Sequence, residues 1–262
     1  MEVILAARDV SKSYGAAQII RGLGFTIHAG EFVSLVGPSG CGKTTLLMCL
    51  AGLLPIDSGV LTFQGKPVVG VPDGMAVVFQ DYSRSLFPWK TNLENVRFGT
   101  RRSAGLSRAN ATERARALIE AVGLSGYEDH YPWQLSGGMQ QRIAIARGLA
   151  SQSRLLLLDE PLAAVDAQTR ADLQDLLLSL AQRFNQTCLL VTHDVDEAVY
   201  MADRVLVLAP RPTQIDMEVR VELRKARDQI SSREEPEFLR ARHEILSRIR
   251  AMRKPGVTIG DH

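Results

Sequence analysis

Short apolar runs alternate along this chain with longer stretches in which apolar residues recur every three to four positions. Phe32 to Val36, Met75 to Phe79, Leu155 to Asp159, Cys188 to Thr192 and Arg204 to Leu208 read as buried strands, and Lys43 to Ala51 and Ala167 to Arg183 as helices. In the second helix Leu173, Leu176, Leu177 and Leu180 stand at i, i+3, i+4 and i+7, which makes one core-facing stripe, and Asp166 is placed to cap its start. This rhythm predicts an α/β fold whose mostly parallel sheet is covered on both faces. Between Phe87 and Gln152 the texture is helical, with Ala115, Leu118, Ile119 and Val122 at helical spacing and Gly123 as a stop. An inserted helical lobe follows from that. After Pro210 the pattern weakens, until Phe238, Ala241, Ile245, Ile249 and Met252 mark an amphipathic terminal helix. The expected division is a main domain over 1–210, with a core of 1–86 and 153–210 around a helical part at 87–152, and an extension over 211–262.

The bulk numbers remove some classes of function. With 262 residues, 45% hydrophobic and 23% charged, the chain is expected to fold, and a net charge of +2 is too small to advertise nucleic-acid binding. Cys41, Cys49 and Cys188 are odd in number and lie in apolar or Gly-rich surroundings, which suits a reduced protein better than a disulfide framework. The opening MEVILAARDVSKSYG lacks a basic start and a long apolar stretch, so no signal peptide is expected. A spanning helix needs about eighteen or more apolar residues in a row, and no such run occurs. Any membrane role must work through a partner.

Residues 37 to 45 read Gly-Pro-Ser-Gly-Cys-Gly-Lys-Thr-Thr, a GxxxxGK[ST] pattern placed after a predicted strand and before a predicted helix. Gly37, Gly40 and Gly42 permit turns that point successive N–H groups inward, making a nest for phosphate oxygens at a helix N-terminus. Pro38, Ser39, Cys41 and Thr45 complete the loop, Lys43 is expected to reach the β- and γ-phosphates of ATP, and the Thr44 hydroxyl to hold Mg²⁺. The bland alternative is a Gly-rich turn that happens to precede a helix. A phosphate loop by itself leaves kinases, GTPases and many ATPases open, although no NKxD segment offers a basis for guanine selectivity. Cys41, beside a helix N-terminus and Lys43, is either a thiol of lowered pKa or a space-filling loop residue.

A second anion site is suggested by Leu135-Ser136-Gly137-Gly138-Met139-Gln140-Gln141-Arg142, which opens the strong helix IAIARGLA with small residues and free N–H groups. It resembles the LSGGQ signature of ABC (ATP-binding-cassette) ATPases, and it precedes the strand LLLLDE in the order that family shows. The resemblance covers nearly the whole chain. It implies a P-loop NTPase core with an N-terminal antiparallel β subdomain and an inserted helical subdomain. It also implies roles, residue by residue: Tyr14 stacking on adenine, Gln80 of the Q-loop contacting Mg²⁺ and water, and Asp159 supporting Mg²⁺. Glu160 would polarise the attacking water, and His193 would be the switch histidine near the γ-phosphate. Ser136, Gly137, Gly138, Gln140 and Asp166 would touch a nucleotide held by another subunit, so the working unit is expected to be a dimer. The alternatives are a core Tyr14, a polar strand end at Gln80, an acidic helix cap at Asp159 and Glu160, and a structural His193. The segment from Ala163 to Asp166 departs from the frequent Ser-x-Leu-Asp form, so only Asp166 carries over.

Leu86-Phe87-Pro88-Trp89-Lys90-Thr91 looks like the importer branch for nitrate, sulfonate and taurine. That resemblance implies an ATP-hydrolysing subunit on the cytoplasmic face of the cell membrane, partnered by a second ATP-binding subunit, a separate permease and a solute-binding protein, moving a small anionic solute. Phe87, Pro88 and Trp89 read either as an apolar surface for the permease or as a packed hinge between lobes. A soluble ABC-type ATPase acting on nucleic acid or ribosomes is the competing class; such proteins usually carry two cassettes or a long coiled insertion, and this chain shows neither. No nucleic-acid partner is expected. Arg240, Arg242, Arg248, Arg250, Arg253 and Lys254 decorate the terminal helix, where a solvated face is the default reading.

Overall fold

The computed structural model describes residues 2–81, 85–102, 106–163 and 165–252. Five of the apolar runs pair side by side in one sheet of order β10-β9-β3-β8-β7-β6. Its strands are β3 (Phe32–Val36), β6 (Met75–Val78), β7 (Leu155–Asp159), β8 (Thr187–Val191), β9 (Arg204–Leu208) and β10 (Ile215–Arg220). Neighbours from β9 to β6 are parallel, and β10 is antiparallel to β9. A second, antiparallel sheet of order β2-β1-β4-β5 is built from β1 (Val3–Tyr14), β2 (Ala17–His28), β4 (Ser58–Phe63) and β5 (Lys66–Pro67).

The continuous apolar strands are explained by burial on both faces. Leu155, Leu157, Leu189 and Leu206 join one core with α1 (Lys43–Leu50) and the antiparallel sheet. Leu156, Leu158, Leu190 and Val207 join the other, with α4 (Gly137–Ala150), α5 (Ala167–Arg183), α6 (Val195–Met201) and α8 (Pro236–Met252). The helical lobe holds α2 (Asn92–Gly99), α3 (Arg108–Ala121) and α4, and its Val96, Ile119 and Ile143 belong to the same apolar cluster as the sheet. The stripe on α5 is buried at Leu173, Leu177 and Leu180, and Asp166 Oδ1 accepts from the Thr169 N–H at 3.0 Å. Val122 closes α3, and Gly123 turns the chain with φ +73°.

One feature differs from expectation. β10 falls in the segment assigned to the extension, yet it forms the edge of the main sheet. The basic side of the terminal helix is a solvated face, as expected, and it also carries surface ion pairs. As Phe238, Ala241 and Ile245 bury against the core, the flanking arginines are carried over acids. Arg242 Nε lies 2.5 Å from Asp196, Arg248 reaches Asp216 at 2.5 and 2.6 Å, and Arg240 stands 3.9 Å from Glu222. Arg253 and Lys254 lie outside the described residues. A short α7 (Ser231–Glu234) leads into this helix, and Arg233 donates to Gln174 Oε1 on α5 at 3.1 Å.

Candidate nucleotide site

Parallel strands bring their carboxyl ends to one edge, which is where ligands bind in open α/β sheets. Here that edge collects Gly37 after β3, Gln80 after β6, Asp159 and Glu160 at the end of β7, His193 after β8 and Arg211 after β9. Because β3 lies between β9 and β8, the glycine loop is flanked by Arg211 on one side and His193 on the other. Ser39, Gly40, Gly42, Lys43, Thr44, Thr45, Glu160, His193 and Arg211 line one cleft of about 410 Å³.

The loop's geometry is fixed from beneath. Gly42 caps α1 in the left-handed region at φ +109°, and a Cβ there would stand 2.8 Å from Ile19 Cγ2. Only glycine meets both demands. Thr213 ties the hairpin after β9 to the same loop: its hydroxyl donates to the Cys41 carbonyl, and its N–H donates to Ile19 O at 2.7 Å. Lys43 Nζ donates to the carbonyls of Gly37 at 3.1 Å and Pro38 at 3.3 Å, so its ammonium lies along the loop. Cys41 is 2% exposed, and burial pushes its thiol up in spite of the Lys43 charge. Burial thus favours the space-filling reading of Cys41 over the lowered pKa, because desolvation outweighs the neighbouring cation.

At the end of β7 the chemistry sharpens. Asp159 is 5% exposed and its Oδ1 has no hydrogen-bond partner. Burial first, then repulsion from Glu160, push its carboxyl up to about 6 against the opposing pull of Lys43. Glu160 adopts φ +43°, an αL conformation that costs a non-Gly residue about 1 kcal/mol or more. Its N–H donates to Val191 O at 2.8 Å and its carbonyl accepts from Ala163 at 3.2 Å, which hold the turn. The result is a half-buried carboxylate whose Oε2 lies 2.9 Å from His193 Nδ1. Sequence order alone does not show that these two side chains meet.

A separate cleft of about 670 Å³ is lined by Ser136, Gly137, Gly138, Asp166 and Thr169 among others. Ser136 caps α4, its Oγ accepting from Met139 N at 3.4 Å, and a Cβ on Gly138 would meet Thr169 Cγ2 at 2.8 Å. The glycine thus lets the starts of α4 and α5 approach. Gln140 instead turns back, donating to Leu135 O at 3.2 Å. The two clefts have no lining residue in common. Gln80 and Tyr14 line neither. Both are exposed; Gln80 follows the edge strand β6, and Tyr14 ends β1 with the Lys12 ammonium 5.9 Å from its ring centroid.

The segment before α2 is held from within by Asn95, which is fully buried. Its Oδ1 accepts from Phe87 N at 2.8 Å, and its Nδ2 reaches the carbonyls of Phe87, Lys90 and Thr91, each at 3.1 Å. Arg147 adds bonds to Ser85 at 2.6 and 2.9 Å. This clamp presents Trp89 at 70% exposure, while Phe87 packs edge-on against Phe98 at 4.8 Å. Trp133, also exposed, stacks on Tyr131 at 5.9 Å. Tyr82, Ser83 and Arg84 of the Q-loop, and Ala164 beside Asp166, lie outside the described residues. Asn95 and Arg211 are the site-region residues that sequence reasoning missed; for Arg211 the available signal was an Arg-Pro step directly after an apolar strand.

A glycine loop at the carboxyl edge of a parallel sheet, facing a Glu-His pair, defines a P-loop nucleotide hydrolase, here with an added antiparallel sheet and helical lobe. The family model described as ABC transporter matches residues 20–163, and the chain belongs to that family as an ATPase with the ABC ATPase fold. An uncharacterised ABC transporter ATP-binding protein of Methanocaldococcus jannaschii is 44% identical over 94% of this chain and 91% of its own. The taurine import ATP-binding protein TauB of Escherichia coli O157:H7 is 41% identical, over 90% of this chain and 93% of that one. Among solved structures, a dimeric ATP-binding cassette in a post-hydrolysis state with ADP and phosphate matches at TM-score 0.73 and 29% identity, covering 83% of this chain and 98% of that one. The cbiO1 subunit of a Clostridium perfringens ABC transporter complex matches at TM-score 0.76 and 25% identity, over 95% and 98%.

Proposed function

We infer that this chain is the ATP-hydrolysing subunit of an importer for a small anionic solute of the nitrate, sulfonate or taurine kind, docked on a separate permease at the cytoplasmic face of the membrane. The observation that carries the hydrolytic part is the Glu160-His193 pair facing the glycine loop across one cleft. In that reading the loop N–H groups and Lys43 cradle the triphosphate, and positioning with charge stabilisation supplies most of the rate. Glu160 orients a water in line with the leaving group. His193, at 2.9 Å, keeps that carboxylate from swinging away.

The residues suit Mg²⁺. Among the described residues no group of three or more His, Cys, Asp or Glu gathers as a metal cage, but Mg²⁺ typically takes one or two carboxylates plus substrate phosphates. The unpartnered buried oxygen of Asp159, next to Glu160 at the end of β7, would supply one such carboxylate, and Thr44 of the phosphate cleft a hydroxyl. When bound, the ion would offset charge on the phosphates.

Two separate half-clefts in one chain support a head-to-tail dimer, in which Ser136, Gly137, Gly138 and Asp166 of one copy face the phosphate loop of the other. No described helix is long and apolar enough to cross a membrane. The Asn95-clamped turn, which exposes Trp89, offers a rigid apolar surface to the permease. Likeness to the taurine import subunit supports the importer branch and the solute class. A permease and solute-binding protein co-expressed with this chain in vesicles should take up labelled taurine, another sulfonate or nitrate only with ATP inside. No association with any permease, together with hydrolysis stimulated by RNA or DNA, would replace this reading with a soluble nucleic-acid ATPase.

A further inference from the structure

Arg211 has no role in the scheme above, yet it lines the phosphate cleft with Lys43, Thr44 and Thr45. It follows β9, the strand next to β3, so it reaches the same carboxyl edge from the side opposite His193. Its backbone is anchored rather than free. Ala209 N donates to Gln214 O at 2.9 Å across the hairpin, Arg21 N to Thr213 O at 3.1 Å, and Thr213 bonds both Ile19 and the Cys41 carbonyl inside the loop. The side chain, by contrast, makes no hydrogen bond or ion pair among the described residues. The cleft's other lysine or arginine, Lys43, is engaged on two carbonyls.

We propose that Arg211 binds the nucleotide's polyphosphate in cis, as a second cation of the cleft beside Lys43. The inference rests on the phosphate reading of that cleft and extends it to a residue from a different strand. A guanidinium offers a planar fork of donors that matches phosphate oxygens, and it is more weakly hydrated than an ammonium, so an anion gains more from it. From the wall of the cleft opposite His193, it would reach phosphates that the N–H nest holds. Thr213 ties its hairpin directly to Cys41, so the backbone that carries Arg211 is held against the loop.

The test is calorimetric titration of the full chain, at concentrations where it is monomeric, with AMP, ADP and a non-hydrolysable ATP analogue. Arg211→Ala should weaken ADP and the analogue by about tenfold, the scale of one charge-assisted contact, and AMP by much less. Arg211→Lys should recover part of that loss, and the slope of log Kd against log salt should be shallower in Arg211→Ala than in wild type. Arg220→Ala, an equal charge change at an exposed residue of β10, should leave all three affinities unaltered. Thermal melting checks that the variants fold alike. Wild-type binding with an unaffected Arg211→Ala would overturn the role of Arg211 alone. So would an equal loss for AMP and ADP, or a defect seen only in nucleotide-driven dimerisation. A wild type that binds no nucleotide would overturn the cleft assignment itself, and this role with it.

Discussion

Asp159→Asn should make the nucleotide-free chain more stable while disabling it. In the folded protein the carboxyl sits at about 6 instead of its ordinary 3.8, because it is buried and faces Glu160. Between those values the folded state holds a proton that the unfolded state has released, so stability falls as pH rises through the window and the full penalty applies above it. At about 1.4 kcal/mol per pH decade, the ionised form is disfavoured by about 3 kcal/mol. The amide also loses water on burial, which trims the expected gain of the variant to about 1 to 3 kcal/mol at pH 8, or a rise in Tm of roughly 2–10 °C for a chain this size. Below pH 4 the gain should vanish. Unfolding is best followed by far-UV circular dichroism with a chelator present, since both tryptophans are exposed and report poorly on the core. With Mg²⁺ and ATP the order should reverse, because ligand at a hundred times its Kd stabilises wild type by about 2.7 kcal/mol and the variant has lost the carboxylate that offsets the ion. Equal stability of the two proteins at pH 8, or the same gain at pH 4 as at pH 8, would refute the account of Asp159 as a carboxylate kept under strain for its function.

Glu160→Gln keeps the shape but not the charge of the group beside His193; it should bind ATP, lose turnover by at least about a hundredfold as expected for a displaced general base, and accumulate an ATP-bound dimer on size exclusion. Unchanged hydrolysis would remove Glu160 from the mechanism. Asn95→Ala removes four buried hydrogen bonds from the turn that carries Trp89 and should cost about 2–4 kcal/mol in urea unfolding, with uptake falling further than the ATPase rate of the isolated subunit. Iodoacetamide should label native Cys41 far more slowly than the urea-unfolded chain at the same pH, since the thiol is buried and pushed up; labelling at the unfolded rate would show that the loop opens.

What the sequence disclosed and what it withheld divide along a physical line. Strands buried on both faces announce themselves as unbroken apolar runs, so β3, β7 and β9 begin and end where the pattern predicts. Local hydrogen bonding is equally readable: the Asp166 cap and the Gly123 stop each depend on residues only a few positions apart. β10 escaped because an edge strand is only half buried; Ile215 to Arg220 alternates weakly and passes for loop. Cys41 shows the limit of adjacency, since its neighbour Lys43 is visible in the sequence but the direction of the thiol, into the core under α1, is not. Arg211 was hidden for a deeper reason. Its chemistry depends on β9 lying beside β3, strands separated by most of the chain, and only the crossover order brings the Arg-Pro turn to the glycine loop. The same topology separates the Ser136 cleft from the Lys43 cleft, although the two motifs belong to one chain. In the proposed head-to-tail dimer each half is completed by a facing copy, and hydrolysis becomes conditional on closure. Such conditionality is what a transport ATPase requires, because a site complete within one subunit would hydrolyse ATP with no coupled movement.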